Sequence, residues 1–132
     1  MIETAILFED FVIGRMMGEF VETITSEQLG EWAALYPWNA ATDGIVPASL
    51  ATILMMRAYV NVVKPRPPGN LHAQQRMRLF GTIAIDEPIT STIECQDKSM
   101  GGARRKVELL VRGRGRDDRL VYDGVLTLFW AA

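Results

Sequence analysis

Gly44-Ile45-Val46-Pro47-Ala48-Ser49-Leu50-Ala51-Thr52-Ile53-Leu54-Met55-Met56-Arg57-Ala58-Tyr59-Val60-Asn61-Val62-Val63-Lys64-Pro65 is the stretch whose reading decides the fold. Pro47 suits a first helical position, where its missing N–H costs nothing. Pro65 cannot continue a helix and disfavours helix at Lys64. The spacing therefore predicts one helix over residues 47–63, with Arg57 its single charge. Apolar side chains fall on every face of it, among them Leu50, Ile53, Leu54, Met55, Tyr59 and Val60. A helix apolar all round is buried all round. It is shorter than the ~20 residues a membrane span needs. The expectation is a core helix, enclosed by whatever follows it in the chain.

The chain has 132 residues, which by size is one domain over 1–132, long enough to bury its own core. The net charge is −2, so no global field favours nucleic acid. One cysteine, Cys95, excludes an intrachain disulfide and fits a reducing cytoplasm. The opening Met1-Ile2-Glu3-Thr4 leads into no signal-like apolar run, and no membrane partner is expected. One His and one Cys do not make a familiar transition-metal cluster, and no cofactor is expected.

The segments around the central helix supply the enclosure. Gly18 to Thr25 carries β-branched and aromatic residues with partial alternation and reads as a strand. Thr25-Ser26-Glu27-Gln28 has the capping-box form and opens a helix running to about Tyr36. After the stiff Arg66-Pro67-Pro68-Gly69-Asn70 loop the period changes to two. Leu71 to Phe80 reads as a half-exposed strand, Ile89 to Lys98 as the next, then Ser99 to Gly102 as a hairpin loop. Ala103 to Gly113 follows, with Val107, Leu109 and Val111 inward, and Arg119 to Trp130 closes the chain. Gly124 within the last strand signals a bulge or a close backbone approach. Four late strands joined by short loops suit an antiparallel meander. The class is α+β, a curled antiparallel sheet wrapped around a long central helix. Such a sheet leaves an edge and a face uncovered, which suggests self-association.

Four segments carry a family likeness. Phe8-Glu9-Asp10-Phe11-Val12-Ile13-Gly14 resembles the opening F-x-D-x-x-x-G of the MaoC-like acyl-thioester hydratases and dehydratases. Gly44 to Leu50 resembles their entry to the central helix, Gly81 to Lys98 their strand, turn and strand, and Tyr122-Asp123-Gly124 through Trp130 their closing strand. The resemblance implies the hotdog fold, an acyl-CoA or acyl-carrier-protein thioester ligand, and a homodimer or dimer of dimers. It also allows a heterodimer with a second hotdog subunit. The catalytic motif is where the sequence departs. These hydratases use an Asp and a His in a D-x-N-P-x-H pattern; here the segment is Tyr36-Pro37-Trp38-Asn39-Ala40-Ala41-Thr42-Asp43, without His. In the related dehydratases of fatty-acid synthesis, the His ahead of the helix corresponds to Asn39, and the helix Glu to Ile53.

What remains for chemistry is a short set of residues. The helix N-terminus offers free N–H groups and a positive dipole end, so the N–H groups of Ala48 and Ser49 could grip a thioester carbonyl. An ordinary buried helix start is the competing reading. Asp43 is a carboxylate beside that entrance, able to orient water or take a proton, or else a turn-former before Gly44. Thr52 and Asn39 are candidate positioners of water or carbonyl. His72, the only imidazole, is solvent-facing unless its strand carries it near Asp43, within the chain or across a dimer interface. Met55, Met56 and Met77 suit either an acyl tunnel or the core, and Cys95 suits the core. Lys98, Arg104 and Arg105 are candidate partners for a CoA or carrier-protein phosphate, or a solvated sheet surface. The functional expectation is an acyl-thioester-binding hotdog protein, as an enzyme a hydro-lyase on 3-hydroxyacyl thioesters. An acyl-CoA thioesterase and a non-catalytic subunit of a heteromeric dehydratase are the alternatives.

Overall fold

Thr25 opens the first helix as its spacing predicts. Its Oγ1 accepts from the Gln28 N–H at 3.2 Å, and Gln28 Oε1 accepts from the Thr25 N–H at 2.8 Å. The computed structural model describes residues 4–37 and 44–132, so Asn39 and Asp43 lie outside the described residues. In chain order the elements are β1 (Met16–Glu22), α1 (Ser26–Leu35), α2 (Ala51–Val62), β2 (Leu71–Leu79), β3 (Ile89–Gly101), β4 (Arg104–Arg114) and β5 (Leu120–Trp130). The strands form one open antiparallel sheet in the order β1-β3-β4-β5-β2.

Three expectations need correction. The first is the meander. β3, β4 and β5 are consecutive neighbours, but β2 pairs with β5 and β1 with β3. Period-two patterning says which way side chains face and not which strand lies alongside. The segment after β2 therefore crosses the sheet instead of turning back on itself. The Val46 N–H donates to the Ile83 carbonyl at 2.8 Å, the Ile85 N–H to the Gly44 carbonyl at 2.9 Å, and the Asp86 N–H to the Ile24 carbonyl at 2.9 Å. Glu87 anchors the crossing, only 2% exposed. It accepts from the N–H groups of Ala84 (3.0 Å) and Arg116 (2.8 Å) and from Arg119 Nη2 (2.9 Å). Burial pushes its carboxyl up, but the two N–H bonds and the guanidinium outweigh that and hold it below the ordinary value.

The second correction concerns the helix. It starts as a 3-10 turn, Ala48–Leu50, followed by α2 and ending at Val63 in a non-helical conformation. That gives 15 helical residues, not a long helix. Val63 leaves the helix ahead of the residue that Pro65 restricts. Nor is the helix enclosed. Ala51, Leu54, Met55 and Ala58 are buried against the sheet, while Ile53 and Val60 stay 38% and 40% exposed. The sheet covers one side of α2 and leaves the opposite stripe open.

The third correction is in the strands. β2 is exposed on both faces and not only on one, with Leu71 at 62% and Leu79 at 46%. The segment read as a hairpin loop, Ser99 to Gly102, is strand as far as Gly101, and Gly102 makes the turn at φ +62°.

The sheet face under α2 matches its expected pattern: Val107, Leu109, Val111 and Cys95 are fully buried there. Each such side chain contributes about 1.5–3 kcal/mol by leaving water. Gly124 proves to be a close approach and not a bulge, since the register runs through it without a shift on either side. A Cβ there would meet the Met55 sulfur and the Arg76 carbonyl. Its missing side chain lets α2 settle onto β5.

Candidate functional site

Two clefts flank the entrance half of the central helix. The first, about 260 Å³, lies between Val46, Pro47, Ala48 and Ala51 on the helix side and Leu79 and Thr82 at the end of β2 and the start of the crossing. The 3-10 turn consumes the Leu50 N–H, which donates to the Pro47 carbonyl at 3.0 Å, and the Ala51 N–H, which donates to Ala48. Among the described residues no side-chain hydrogen bond caps this helix end. Ala48, whose N–H has no partner among the described residues, lines the groove. Such a donor at a helix start suits a carbonyl oxygen on which negative charge develops. Ser49 beside it is exposed.

Thr52 lies one turn along and is half-buried, its Oγ1 donating to the Met77 sulfur at 3.7 Å across to β2. Met55 is fully buried over Gly124 and acts as core, whereas Met56 is half-buried.

His72 is placed at the other end of the helix. It is exposed at the start of β2, in a recess with Tyr59, Arg66 and Asn70 beside the last turn of α2. β2 runs along α2 so that its Leu79 end, and not its His72 end, meets Ala48. Within one chain the imidazole therefore does not reach the helix entrance. Lys98, Arg104 and Arg105 also sit at that far end, where β4 begins opposite Trp130 of β5. Lys98 Nζ donates to the Phe8 carbonyl at 3.2 Å and lies 4.8 Å over the Phe8 ring. Arg104 stacks 5.1 Å over the Phe129 ring, and Arg105 Nη1 donates to the Ala131 carbonyl at 3.3 Å. Lys98 and Arg105 share the face of Val107 while Arg104 lies on the other face, and all three are remote from the groove of their own chain.

The second cleft, about 230 Å³, opens between α1 and α2 on the opposite flank of the helix. Leu50, Ile53 and Trp32 line it, with Glu22 from the end of β1. Glu22 Oε1 accepts from Arg57 Nε at 2.8 Å, and the carboxylate is 13% exposed. Its Oε2 and the Trp32 Nε1 are both buried without a partner among the described residues. Burial pushes the Glu22 carboxyl above the ordinary range, and the Arg57 guanidinium only partly counters this. In the sequence Glu22 reads as one more strand residue. The signal was there: Glu22 alternates with Gly18 and Phe20 on the face turned to α2, and a carboxylate on an inward face needs a reason.

Deeper in the core Ser91 Oγ and Tyr122 Oη are 2.5 Å apart, beneath the crossing segment. Burial, with Glu22 nearby, pushes the Tyr122 phenol up to about 12 although the Ser91 hydrogen bond works the other way.

This arrangement, a sheet ordered β1-β3-β4-β5-β2 with one helix across it and a crossing under the helix entrance, recurs in solved structures. The fold is the hotdog fold. The MaoC-like dehydratase from Rhodospirillum rubrum superposes with a TM-score of 0.80 at 10% identity, covering 97% of this chain and 99% of that one. The R-hydratase from Pseudomonas aeruginosa gives 0.75 at 18% identity, covering 93% and 84%. The 3R-hydroxyacyl-ACP dehydratase complex from Mycobacterium tuberculosis gives 0.72 at 15% identity, covering 89% and 96%. No protein-family model and no curated protein matches the sequence. Among the described residues no helix is long and apolar enough to cross a membrane.

Proposed function

We propose that this chain binds an acyl thioester, on CoA or an acyl-carrier protein, in the groove at the helix entrance, and acts on it as a hydratase or dehydratase of 3-hydroxyacyl thioesters. The observation that carries the reading is the Ala48 N–H, without a partner among the described residues, in a residue that lines a groove of about 260 Å³ with largely apolar walls. An apolar cleft with one well-placed donor suits an acyl chain ending in a polarisable carbonyl. Structural neighbours that are hydratases and dehydratases support the reaction type.

The working unit in this reading is a dimer. β2 is an edge strand exposed on both faces, and Ile53 and Val60 leave an apolar stripe on α2 uncovered. A second hotdog subunit along β2 would cover that edge, and one that also reaches over α2 would cover the stripe. In that assembly Ser49, Thr52 and Met56 complete the thioester pocket from their own chain. Lys98, Arg104 and Arg105 serve a phosphate, and His72 acts only if the partner brings it to a groove. Asp43, next to Gly44 in the sequence, is the proposed proton-transfer group, with Asn39 as positioner.

Hydration of short and medium enoyl-CoA esters, followed by loss of the conjugated thioester absorbance, tests this. Asp43→Asn should lower turnover at least about tenfold while thioester binding persists. Unchanged turnover in that variant removes Asp43 from the chemistry.

One observation favours a second reading, the non-catalytic subunit of a heteromer. The only imidazole of the chain lies at the wrong end of the helix, and one structural neighbour is a two-component dehydratase complex. Pure protein that binds acyl-CoA but turns over no ester would favour it.

A further inference from the structure

At the far end of α2 from the Ala48 groove, a recess of about 310 Å³ opens between Tyr59, Arg66, the loop 67–70 and His72. Its walls are held in place. Arg66 Nη1 donates to the Val60 carbonyl at 3.1 Å and to the Val63 carbonyl at 2.8 Å, and so covers the negative end of the helix. Asn70 Oδ1 accepts from the Ala131 N–H at 2.7 Å and ties the loop to the end of β5. Closing the helix end occupies one nitrogen of Arg66; its Nη2 and Nε have no partner among the described residues. The guanidinium lies 5.5 Å over the Tyr59 ring. Tyr59 is 6% exposed, yet its hydroxyl has no partner among the described residues and, unlike Glu22 Oε2 and Trp32 Nε1, is not sealed from solvent. Burial pushes the phenol up and the Arg66 charge only partly counters this, so at neutral pH the hydroxyl keeps a proton to donate.

The charge around the recess has one sign. From Gly44 to Ile85 the chain carries Arg57, Lys64, Arg66, Arg76 and Arg78 and neither Asp nor Glu, although the whole protein stands at −2. Arg57 and Arg78 are taken up by Glu22 and Asp123, whereas Arg66 and the neighbouring Lys64 have no carboxylate partner among the described residues. No carboxylate lines the recess among the described residues either. A guanidinium fork, a phenol and an imidazole thus offer donors to one space, and the fork suits an oxyanion. A carboxylate has two oxygens in one plane; the tetrahedral oxygens of a phosphate can reach separate walls. We propose that this recess is a phosphate site, in which the Arg66 guanidinium pairs with the anion and the Tyr59 hydroxyl and the His72 ring donate to its oxygens. The site is separate from the groove at Ala48 and does not depend on the thioester reading. Two sources carry the chemistry, the phosphates of CoA or a carrier protein and a free phosphorylated compound.

His72 is the only imidazole of the chain, so its ring proton signals report from this recess alone. Inorganic phosphate titrated into the full chain at fixed pH and ionic strength should move those signals along a saturating curve that chloride and acetate do not reproduce. Arg66→Gln should weaken the binding at least about tenfold, as expected for a lost charge-assisted pair. Tyr59→Phe keeps the ring and the helix end intact and removes only the hydroxyl; it should weaken binding at least about threefold. That variant decides the matter if Arg66→Gln, which also frees the Val60 and Val63 carbonyls, proves unstable. CoA moving the same signals at a concentration at least about tenfold lower than inorganic phosphate assigns the recess to the carrier. CoA acting no better than inorganic phosphate assigns it to a free phosphorylated compound, and the phosphate site stands in both cases. A response that never saturates, one that acetate matches, or binding unchanged in Tyr59→Phe or in a folded Arg66→Gln overturns the assignment and leaves the thioester reading untouched.

Discussion

The ring of Tyr122 occupies the space that a side chain on Gly113 would need, across the β4–β5 pairing. Tyr122 is fully buried and its hydroxyl meets Ser91 on β3, so one residue spans three strands at the end of the sheet where the helix enters. Gly113→Ala drives a methyl group into that ring. Overpacking of this kind costs about 1–3 kcal/mol, and urea denaturation should show a loss in that range or above it. A stability equal to wild type would mean the ring moves freely, which its packing argues against.

Tyr122 also sets an alkaline limit. Its pKa is raised from 10.0 to about 12, so the folded state holds the phenolic proton more tightly than the unfolded chain. That stability is fully present below pH 10 and is lost as the pH rises to the folded value, about 2–3 kcal/mol in all. Tyr122→Phe should lose the Ser91 hydrogen bond at neutral pH and remove this alkaline fall from a melting-temperature profile.

Glu87 works in the opposite direction. Its carboxyl lies below the ordinary 4.5, so its contribution is present above that value and is lost as the pH falls through the lower folded one. Glu87→Gln keeps the shape but cannot serve two N–H groups and Arg119 as an anion. A loss of about 1–3 kcal/mol at neutral pH is expected, with less acid sensitivity below pH 4.5 than wild type.

These particulars show what could be read beforehand. The capping box at Thr25 and Gln28, the inward set Val107, Leu109 and Val111, and the close approach at Gly124 are local patterns, and each is where it was expected. Partners were not legible. Nothing in the alternation of Leu71 to Leu79 says that β5 lies beside it, and nothing in the apolar run of the helix says that Ile53 and Val60 stay open. Nor does a sequence say which end of a strand meets a helix entrance, so His72, solvent-facing unless its strand carried it near Asp43, could be placed at the opposite end of α2 from Ala48 only by the fold. Glu22 and Trp32 were hidden for a related reason: their significance is an unmet hydrogen bond, which exists only once the packing does.

The open stripe on α2 leads to a prediction about assembly. Sedimentation over a wide concentration range should show a dimer. Val60→Asp, placing a charge where apolar surface is covered, should weaken it at least about tenfold. A protein that stays monomeric at every concentration would argue for a different second subunit, and the same stripe would then be its landing face.

The thioester groove itself is tested most directly by titrating hexanoyl-CoA and free CoA into the pure protein, beside the Ala48→Pro variant. Pro at this position follows Pro47, whose ψ of 138° is already extended, so the fold should tolerate it while the Ala48 N–H disappears. Wild type should bind hexanoyl-CoA at least about tenfold more tightly than CoA, and Ala48→Pro, melting near the wild-type temperature, should lose most of that advantage. Equal binding of ester and free CoA, or an advantage untouched in Ala48→Pro, would contradict the groove as the place where the acyl carbonyl is held.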